Sequence, residues 1–439
     1  MRRLRVPFLV PLLFAALTAA TSCAPLGLPG VTNCTSDVPS PLADEQQSLP
    51  WAGRILLIGD FGTDHGGRNR AVAAAVRQYL EQSPPLPTEV LLLGDNFYPR
   101  GLVGFDGKCA KDKDSEAAVA EQLRAVLGPY EFLREKGIRI RAIAGNHDHG
   151  CGAVGLAHEH DIDRFLPPPQ RWGDLWQFFT GLPQEISLGS LVQIVVLDSH
   201  AIISDAALAD ASRRRLRELL ASGKGRYQWQ LLAAHHPLRS AGPHDGAWPE
   251  GLRRPTSFLL FPAHFLAALD LAPFGDLNQD LYTFRYRRYR RLVEGAVQQS
   301  GASVALVLSG HDHNLQLLSG RTPAEPLQVV AGSGAYCSPL QRRQDLLFGA
   351  AANGFGVLRY HAGALQIEFF TLQPCPGARP CAKVEQPSPH RAFVFTLQQR
   401  SSAASADAEA GASKPGEPKE VRRCNRFSIP TCVSSSTSG

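Results

Sequence analysis

Five short apolar runs that end in the same kind of polar residue most constrain what this chain can fold into. The runs close with glycine or alanine followed at once by Asp, Asn or His, in the pairs Gly59-Asp60, Gly94-Asp95, Gly145-Asn146, Ala234-His235 and Gly310-His311. Short apolar runs bounded by turn residues are typical of buried strands. Polar residues that follow such strands lie where open α/β sheets place their chemistry. One strand that ends in Gly-Asp is usually an ordinary turn, whereas five such ends indicate a shared site.

The stretch Leu91–Tyr98 is the most informative of the five. Its apolar half predicts a buried strand, and its second half, Gly94-Asp95-Asn96-Phe97-Tyr98, predicts a loop that carries a carboxylate, an amide and a phenol. A glycine before the donor residue lets the backbone turn sharply and approach other groups closely.

Apolar periodicity predicts helices between the strands. The predicted helices are Arg68–Gln82, Asp114–Lys136, Arg213–Leu220 and Tyr282–Gln299. The predicted strands are Arg54–Ile58, Leu91–Leu93, Ile138–Ala144, Tyr227–Ala234, Ser303–Leu308, Leu327–Ala331, Gly354–Tyr360, Leu365–Leu372 and Ala392–Leu397. Antiparallel strands are expected within Trp172–Leu197, including Val192–Leu197.

The donor types at these loops suit a pair of metal ions. Carboxylate, amide, phenol and imidazole groups are the ligands that Fe, Mn and Zn accept. Seven donors are available, namely Asp60, Asp95, Tyr98, Asn146, His235, His311 and His313. If one carboxylate is shared, each of two ions receives four protein ligands and keeps positions for water and substrate. Two ions about 3.5–4 Å apart form the clamp used for in-line phosphoryl displacement.

The segment His311-Asp312-His313 places two imidazoles two residues apart. In an extended segment this spacing sends both side chains to the same side. A lone His-x-His pair is commonly a surface feature, but this one follows a buried strand and a glycine, which favours a role as ligands.

The ordered blocks resemble those of the calcineurin-like metallophosphoesterases. The blocks are Asp60-Phe61-Gly62, Gly94-Asp95-Asn96-Phe97-Tyr98, Gly145-Asn146-His147-Asp148, Leu232-Ala233-Ala234-His235 and Gly310-His311-Asp312-His313. Tyr98 in the second block is similar to the purple acid phosphatases, and Gly310–Gln316 with Ala331–Ala335 is similar to the small mammalian, tartrate-resistant type. The resemblance implies an α/β fold, a four-layer αββα sandwich of two mixed β-sheets flanked by helices.

The resemblance also implies roles for the individual residues. Fe(III) would be held by Asp60, Asp95, Tyr98 and His313. A divalent Fe, Zn or Mn ion would be held by Asp95, Asn146, His235 and His311, with Asp95 bridging. His147 and His244 would be the catalytic histidines that face the substrate. The implied activity is hydrolysis of phosphomonoesters by in-line attack of a metal-activated hydroxide, with an acidic pH preference because a histidine serves as the acid.

Two alternatives use the same residues. The first is an exported phosphodiesterase or nucleotidase, because metal ligands alone do not select the leaving group. The second is a catalytically inactive surface binding protein, whose signature would be a missing ligand. His236 stands where the mammalian type has an aromatic residue, and an insertion at about 245–280 replaces a short connection. These two departures leave open whether the chain shares the substrate preference of the type it resembles.

The expected partner is the phosphate ester substrate that the resemblance implies, and composition does not indicate a nucleic acid partner. A formal charge of +5 in 439 residues is too mild to indicate nucleic acid. The segment Arg285–Arg291 alternates basic and aromatic residues, but a solvated helix face explains it better than a phosphate backbone does. The sequence carries no indication of oligomeric state.

The N-terminus predicts export. Arg2, Arg3 and Arg5 precede the apolar run 6–20, which is the layout of a secretory signal over residues 1–22. Cys23 resembles the lipidated cysteine of bacterial lipoproteins, so we expect either a lipid anchor on a membrane surface or a periplasmic or secreted protein. A tether (23–50), a catalytic domain (51–400) and a low-complexity, Cys-containing tail (401–439) would follow.

Export implies an oxidising compartment, and nine cysteines minus Cys23 leave an even number. Local bridges Cys375–Cys381 and Cys424–Cys432 are consistent with the spacing. Cys109 and Cys151 each follow a predicted site loop, which would allow a bridge between those two loops.

Overall fold

The computed structural model describes residues 50–109, 113–245, 283–322, 324–341, 343–372 and 388–398. The predicted signal, nearly all of the predicted tether and insertion, the tail, and the pairs Cys375–Cys381 and Cys424–Cys432 lie outside these residues.

Two seven-stranded mixed sheets form the centre of the described part. The first has the order β14-β13-β12-β1-β2-β3-β4. Its strands are β1 (Gly53–Ile58), β2 (Thr88–Leu92), β3 (Arg139–Ile143), β4 (Trp176–Phe179), β12 (Gly354–His361), β13 (Ala364–Thr371) and β14 (His390–Gln398). The second has the order β11-β9-β10-β8-β7-β6-β5. Its strands are β5 (Gln184–Leu188), β6 (Val192–Leu197), β7 (Trp229–Ala234), β8 (Val304–Ser309), β9 (Leu315–Leu318), β10 (Leu327–Ala331) and β11 (Leu346–Ala350).

Helices cover the outer face of each sheet. In the described residues they are α1 (Arg68–Gln82), α2 (Lys113–Leu127), α3 (Glu131–Glu135), α4 (Ala153–His160), α5 (Ser199–Ser204), α6 (Ala206–Gly223) and α7 (Phe284–Ser300). The α1 and α2 helices pack in one core with the first sheet, whereas α6 and α7 pack in another with the second sheet. A third core lies between the sheets. The architecture is the predicted four-layer αββα sandwich.

Strand β1 shows why the run Ile55–Ile58 is apolar at every position. Ile55 and Leu57 point into the core between the sheets, while Leu56 and Ile58 point towards α1. All four side chains are at most 2% exposed. A strand covered on both faces needs apolar residues at every position, so it lacks the alternation of a half-exposed strand.

One sequence prediction about local structure is wrong, and another is confirmed only in part. The long helix predicted for Asp114–Lys136 is broken into α2, a 3-10 turn at Gly128–Tyr130, and α3. Pro129 lacks the N–H that a continuous helix requires, which accounts for the break. Within Trp172–Leu197 only β5 and β6 are antiparallel to each other; β4 instead pairs in parallel with β3.

Parallel pairing brings the donor-bearing strand ends together. β1, β2 and β3 are mutually parallel in the first sheet, and β6, β7, β8 and β10 are parallel neighbours in the second. Their carboxyl ends therefore form one edge of the sandwich. Among the described helices, none is both long and apolar enough to cross a membrane.

Candidate metal centre

The loops after β1, β2 and β8 share an uncommon backbone conformation at the donor residue itself. Asp60, Asp95 and His311 have φ of 56°, 55° and 70°. They are the non-glycine residues of the described chain with positive φ. This conformation costs about 1–3 kcal/mol and tends to cluster at functional sites. The sequence suggested that the glycine before each donor makes the turn. In the loop after β2 both Gly94 and Asp95 have positive φ, whereas in the loops after β1 and β8 the donor residue has positive φ and the preceding glycine does not.

The glycines matter mainly because other atoms approach them closely. A Cβ added at Gly94 would lie 2.5 Å from His235 Nδ1, and one at Gly145 would lie 2.2 Å from Asp95 Oδ1. At Gly310 the added atom would lie 2.6 Å from Asp60 Oδ2. Each distance is shorter than van der Waals contact, so these positions need glycine for the donors to converge.

The phenol oxygen of Tyr98 lies among three other donors. Its Oη is 3.0 Å from Asp95 Oδ2, 3.3 Å from Asp60 Oδ1 and 3.5 Å from His313 Nε2. His313 Nε2 is in turn 3.4 Å from Asp60 Oδ1. The two carboxylates are buried, whereas His313 is partly exposed. Four donor atoms from three separate loops therefore converge on one position.

A second group of donors lies on the other side of Asp95. His235 Nε2 is 3.4 Å from Asp95 Oδ1 and 2.9 Å from Asn146 Oδ1. Its Nδ1 donates to Leu93 O at 2.8 Å, which leaves Nε2 to face the site. A ring nitrogen oriented in this way by a backbone carbonyl is typical of metal-binding histidines. The buried His311 ring lies 5.1 Å from the His235 ring.

The buried carboxylates of Asp60 and Asp95 favour positive charge beside them, as the pKa values of the neighbouring groups show. Burial raises the pKa of Asp95, but His235 and His147 outweigh it and hold that pKa well below its ordinary value. Burial lowers the pKa of His235, but the Asp95 carboxylate raises it to about 10. Burial, then Asp95 and Asp60, raise the pKa of Tyr98 well above its ordinary value. The carboxylates thus favour a cation beside them.

The residues fit a metal centre on the chemistry of the donor set. Asp60, Asp95 and His235 each offer a ligand atom, all within 4.8 Å of one another, and all three are buried. Buried charges in proteins are paired or coordinate metals. His235 Nε2 and Asn146 Oδ1 lie 2.9 Å apart. Because the proton of the neutral His235 ring is on Nδ1, which donates to Leu93 O, the lone pairs of Nε2 and of Asn146 Oδ1 face each other unless a second proton or a cation lies between them. The donor set suits Fe, Mn or Zn.

Comparison with known families accords with this chemistry. Residues 53–315 match the calcineurin-like phosphoesterase family. The chain belongs to that family. Its members are generally hydrolases that act on phosphate esters, and the candidate metal-binding triad lies within the matched residues. A search of curated protein sequences finds no significant match.

Solved structures with a similar fold include three proteins of low sequence identity. GAP50, the anchor in the inner membrane complex of Plasmodium, has 15% identity and a TM-score of 0.47 over 77% of this chain and 88% of its own. Purple acid phosphatase PPD1 from yellow lupin has 13% identity and a TM-score of 0.44 over 78% and 53%. PhoD has 12% identity and a TM-score of 0.48 over 79% and 69%.

The two histidines predicted to be catalytic lie beside the donors. His147 Nδ1 donates to Pro99 O at 2.6 Å, so Nε2 faces the centre, 3.9 Å from Asp95 Oδ2. The His147 side chain is 38% exposed. The His244 ring stacks on His311 at 4.0 Å, and its backbone N–H donates to Asp312 Oδ1 at 3.2 Å. The structure thus brings all nine predicted site residues to one edge.

Sequence reasoning missed Asp148, which connects two ligand loops. Its buried carboxylate accepts from Asn96 N at 2.9 Å, Phe97 N at 3.2 Å, Gly145 N at 2.7 Å and Asn96 Nδ2 at 3.0 Å. Burial and the nearby Asp95 raise the pKa of Asp148 to about 6. The buried Glu159 lies 3.5 Å from Asn96 Nδ2. Asp148 ends the block Gly145–Asp148, so its place in the motif was the available signal.

A sixth strand end was also missed. β6 is followed by Asp198-Ser199-His200, and Asp198 follows Leu197 rather than the glycine or alanine found at the other five ends. Asp198 accepts from His149 Nε2 at 3.0 Å and from Gly181 N at 2.9 Å. Burial lowers the pKa of His149, but Asp198 raises it above its ordinary value. The His149–Asp198 pair thus connects the loop after β3 to the end of β6 in the second sheet.

Three other histidines, His236, His158 and His160, are neighbours of the centre or have structural contacts. His236 is buried, with Nδ1 2.8 Å from Ser199 Oγ and its ring 4.4 Å from the His311 ring. His158 and His160 belong to α4; His158 Nδ1 contacts Leu102 O, and His160 packs edge-on against Phe178.

The predicted bridge between the site loops is present. Cys109 and Cys151 form a disulfide that joins the loop after β2 to the loop after β3.

Proposed function

We propose that this chain is a binuclear-metal phosphatase of the purple acid phosphatase type that hydrolyses phosphomonoesters. The observation that carries the proposal is Tyr98, whose Oη lies 3.0 Å from Asp95 and 3.3 Å from Asp60. Asp95 is expected in any binuclear phosphoesterase, whereas a phenol among the donors favours Fe(III) at that position.

Two overlapping sets of residues would hold the ions. Asp60, Asp95, Tyr98 and His313 would hold Fe(III), and Asp95, Asn146, His235 and His311 would hold a divalent Fe, Zn or Mn ion. When bound, the pair would supply Lewis-acid charge and lower the pKa of water, which is the chemistry needed for in-line attack on phosphorus. The two oxygens of Asp95 support a bridge, because Oδ2 faces Tyr98 and Oδ1 faces His235.

Two histidines of the chain would supply the proton to the leaving group or to the phosphoryl group. Because Nδ1 of His147 is occupied by Pro99 O, its Nε2 is the atom that would donate to the leaving alkoxide or to a phosphoryl oxygen. His244 would approach from the His311 side, where its ring is stacked. In either case a protonated imidazole is the acid, so activity is expected to fall at the higher pH at which imidazole loses its proton.

Metal content and p-nitrophenyl phosphate hydrolysis across pH test the proposal. The wild-type protein is expected to bind two metal ions per chain and to turn over the ester best at acidic pH. Asp95→Ala should lose metal and at least about a thousandfold of activity, because both ions lose a ligand. Asp163→Ala is the matched control, a partly exposed carboxylate that accepts from Trp172 N and Gly173 N outside the site. No bound metal, or unchanged activity in Asp95→Ala, would overturn the proposal.

Relative rates on three substrates separate the proposed activity from the alternatives. A monoester, a bis-ester and a nucleotide should be compared at equal metal loading. Faster turnover of the bis-ester would favour a phosphodiesterase, and faster turnover of the nucleotide would favour a nucleotidase. Metal binding without turnover of any ester would indicate a binding protein.

A further inference from the structure

Tyr336 lies beside the Tyr98 side of the centre and has no part in the proposed chemistry. Its ring stacks on the His313 ring at 5.0 Å and 22°, and meets the Tyr98 ring edge-on at 5.0 Å and 73°. On the outer side, the exposed His65 ring stacks on it at 5.3 Å and 28°. Tyr336 is therefore the middle ring of a stack that leads from a proposed ligand to the surface.

The backbone around Tyr336 is tied to two ligand loops. Ala335 N donates to Asp60 O at 3.0 Å, and Ser338 N donates to His313 O at 2.7 Å. Asn353 Nδ2 also donates to Tyr336 O at 2.9 Å. Three hydrogen bonds within four residues hold this segment at a defined position relative to the donors, so the phenol is placed with little conformational freedom.

The hydroxyl of Tyr336 is available to a ligand. Within the described residues it makes no hydrogen bond, and it is not among the buried oxygens that lack a partner. The side chain is half-buried, and because its unpaired hydroxyl is not among the fully buried oxygens, solvent or a ligand can reach it. By contrast, the Tyr98 hydroxyl is surrounded by Asp60, Asp95 and His313.

We propose that Tyr336 is a substrate-positioning residue whose phenol O–H donates a hydrogen bond to an oxygen of the bound phosphate ester. This inference rests on the proposed function, because it requires a phosphate ester at the centre. A phosphate oxygen is a strong, charged acceptor, and a phenol held by stacked rings donates to it with little loss of freedom. The hydrogen bond would form with substrate and transition state alike, so it would act on binding more than on turnover.

Tyr336→Phe removes the hydroxyl and keeps the ring stack. Loss of one hydrogen bond to a charged group should weaken inorganic phosphate binding about tenfold, measured by calorimetry on metal-loaded protein. KM for p-nitrophenyl phosphate should rise by about the same factor, while kcat stays within about twofold. Metal content should be unchanged. Tyr360→Phe is the control, a tyrosine that pairs with Gly53 at the start of β1, at the opposite edge of the sheet.

The possible outcomes separate this inference from the proposed function. Equal phosphate affinity in wild type and Tyr336→Phe would overturn the inference alone. Loss of metal in Tyr336→Phe would also overturn it, since the hydroxyl would then serve the ligands. If the wild-type protein binds phosphate but turns over no ester, the proposed function fails while the affinity comparison still decides the role of Tyr336. A wild-type protein that binds neither phosphate nor ester would overturn both.

Discussion

Replacement of Asp148 by asparagine is expected to destabilise the protein strongly although the change is nearly isosteric. Asp148 Oδ1 accepts from Asn96 N and Phe97 N, and Oδ2 accepts from Gly145 N and Asn96 Nδ2. An asparagine keeps one acceptor oxygen and turns an NH2 group towards the other pair. Whichever orientation it takes, two buried N–H groups lose their acceptor.

The magnitude follows from the cost of those two groups. An unsatisfied buried donor costs about 1–3 kcal/mol, so Asp148→Asn should lower the free energy of unfolding by about 3 kcal/mol. The loop after β2 and the loop after β3 would also lose their connection, and both carry proposed ligands. Affinity for metal should therefore fall as well, by about 10–100-fold, as for other groups that orient metal ligands.

Urea unfolding at constant metal concentration measures the first quantity, and metal titration of apo-protein measures the second. Asp163→Asn is the matched control, because each oxygen of Asp163 accepts one backbone N–H, from Trp172 and Gly173, at a partly exposed position away from the centre. It should cost no more than about 1 kcal/mol and leave metal affinity unchanged. An Asp148→Asn protein within about 0.5 kcal/mol of wild type would refute the reasoning.

Three further predictions concern the loops around the centre. Gly145→Ala should abolish metal binding while the protein remains folded by circular dichroism, because the added Cβ would lie 2.2 Å from Oδ1 of Asp95, a proposed ligand. Replacing both Cys109 and Cys151 by serine should lower the free energy of unfolding by about 4 kcal/mol in urea, given their separation of 42 residues. Asp198 stabilises only the protonated form of His149, which is why the pKa of His149 is raised. The difference in the free energy of unfolding between wild type and His149→Gln should therefore be largest at mildly acidic pH and shrink as the pH rises above 6.5.

Each of these predictions has a result that would contradict it. Normal metal affinity in Gly145→Ala would show that the loop can move away from the carboxylate. Equal unfolding midpoints with and without the disulfide would mean that the loops are held by other contacts. A stability difference that grows above pH 6.5 would contradict the sign of the His149 effect. The charged or titratable groups that face His149 are Asp198, Asp148, Asp95 and the stacked His200.

The elements predicted well are those with an unambiguous local signal. Helix α1 spans Arg68–Gln82 as predicted, because its apolar spacing is regular and Pro84-Pro85 follows its end. Strand β10 (Leu327–Ala331) is apolar except at Gln328, and it lies between Pro326 and Gly332, which mark its ends. The five donor-bearing ends were found because each combines a buried run, a small residue and a donor.

The elements predicted poorly depend on tertiary structure. β9 is a four-residue strand, Leu315–Leu318, directly after the fifth block, and it is too short to be recognised by pattern. The pairing of β4 with β3 depends on which sheet it joins, and local pattern does not encode that choice. The apolar periodicity of Asp114–Lys136 continues across Gly128-Pro129, although the helix does not.

In the candidate metal centre, too, features with a local sequence signal were predicted and features that depend on tertiary structure were not. Residue types and spacing identified the seven proposed ligands, but not the positive φ of Asp60, Asp95 and His311, which is imposed by the convergence of separate loops. Asp198 follows a leucine rather than a glycine, so its contact with His149 could not be anticipated. Tyr336 is 238 residues from Tyr98 in sequence (336 − 98), and only the folded structure brings the two rings together.

The visible absorption spectrum of the purified, metal-loaded protein tests the proposed Tyr98 ligand most directly. A tyrosinate bound to Fe(III) should give a charge-transfer band, and Tyr98→Phe should lose that band. Tyr130→Phe, which replaces a buried tyrosine whose hydroxyl has no hydrogen-bond partner among the described residues, should keep it. A wild-type protein that contains iron but shows no such band, or a band that persists in Tyr98→Phe, would contradict the assignment of Tyr98 as a ligand.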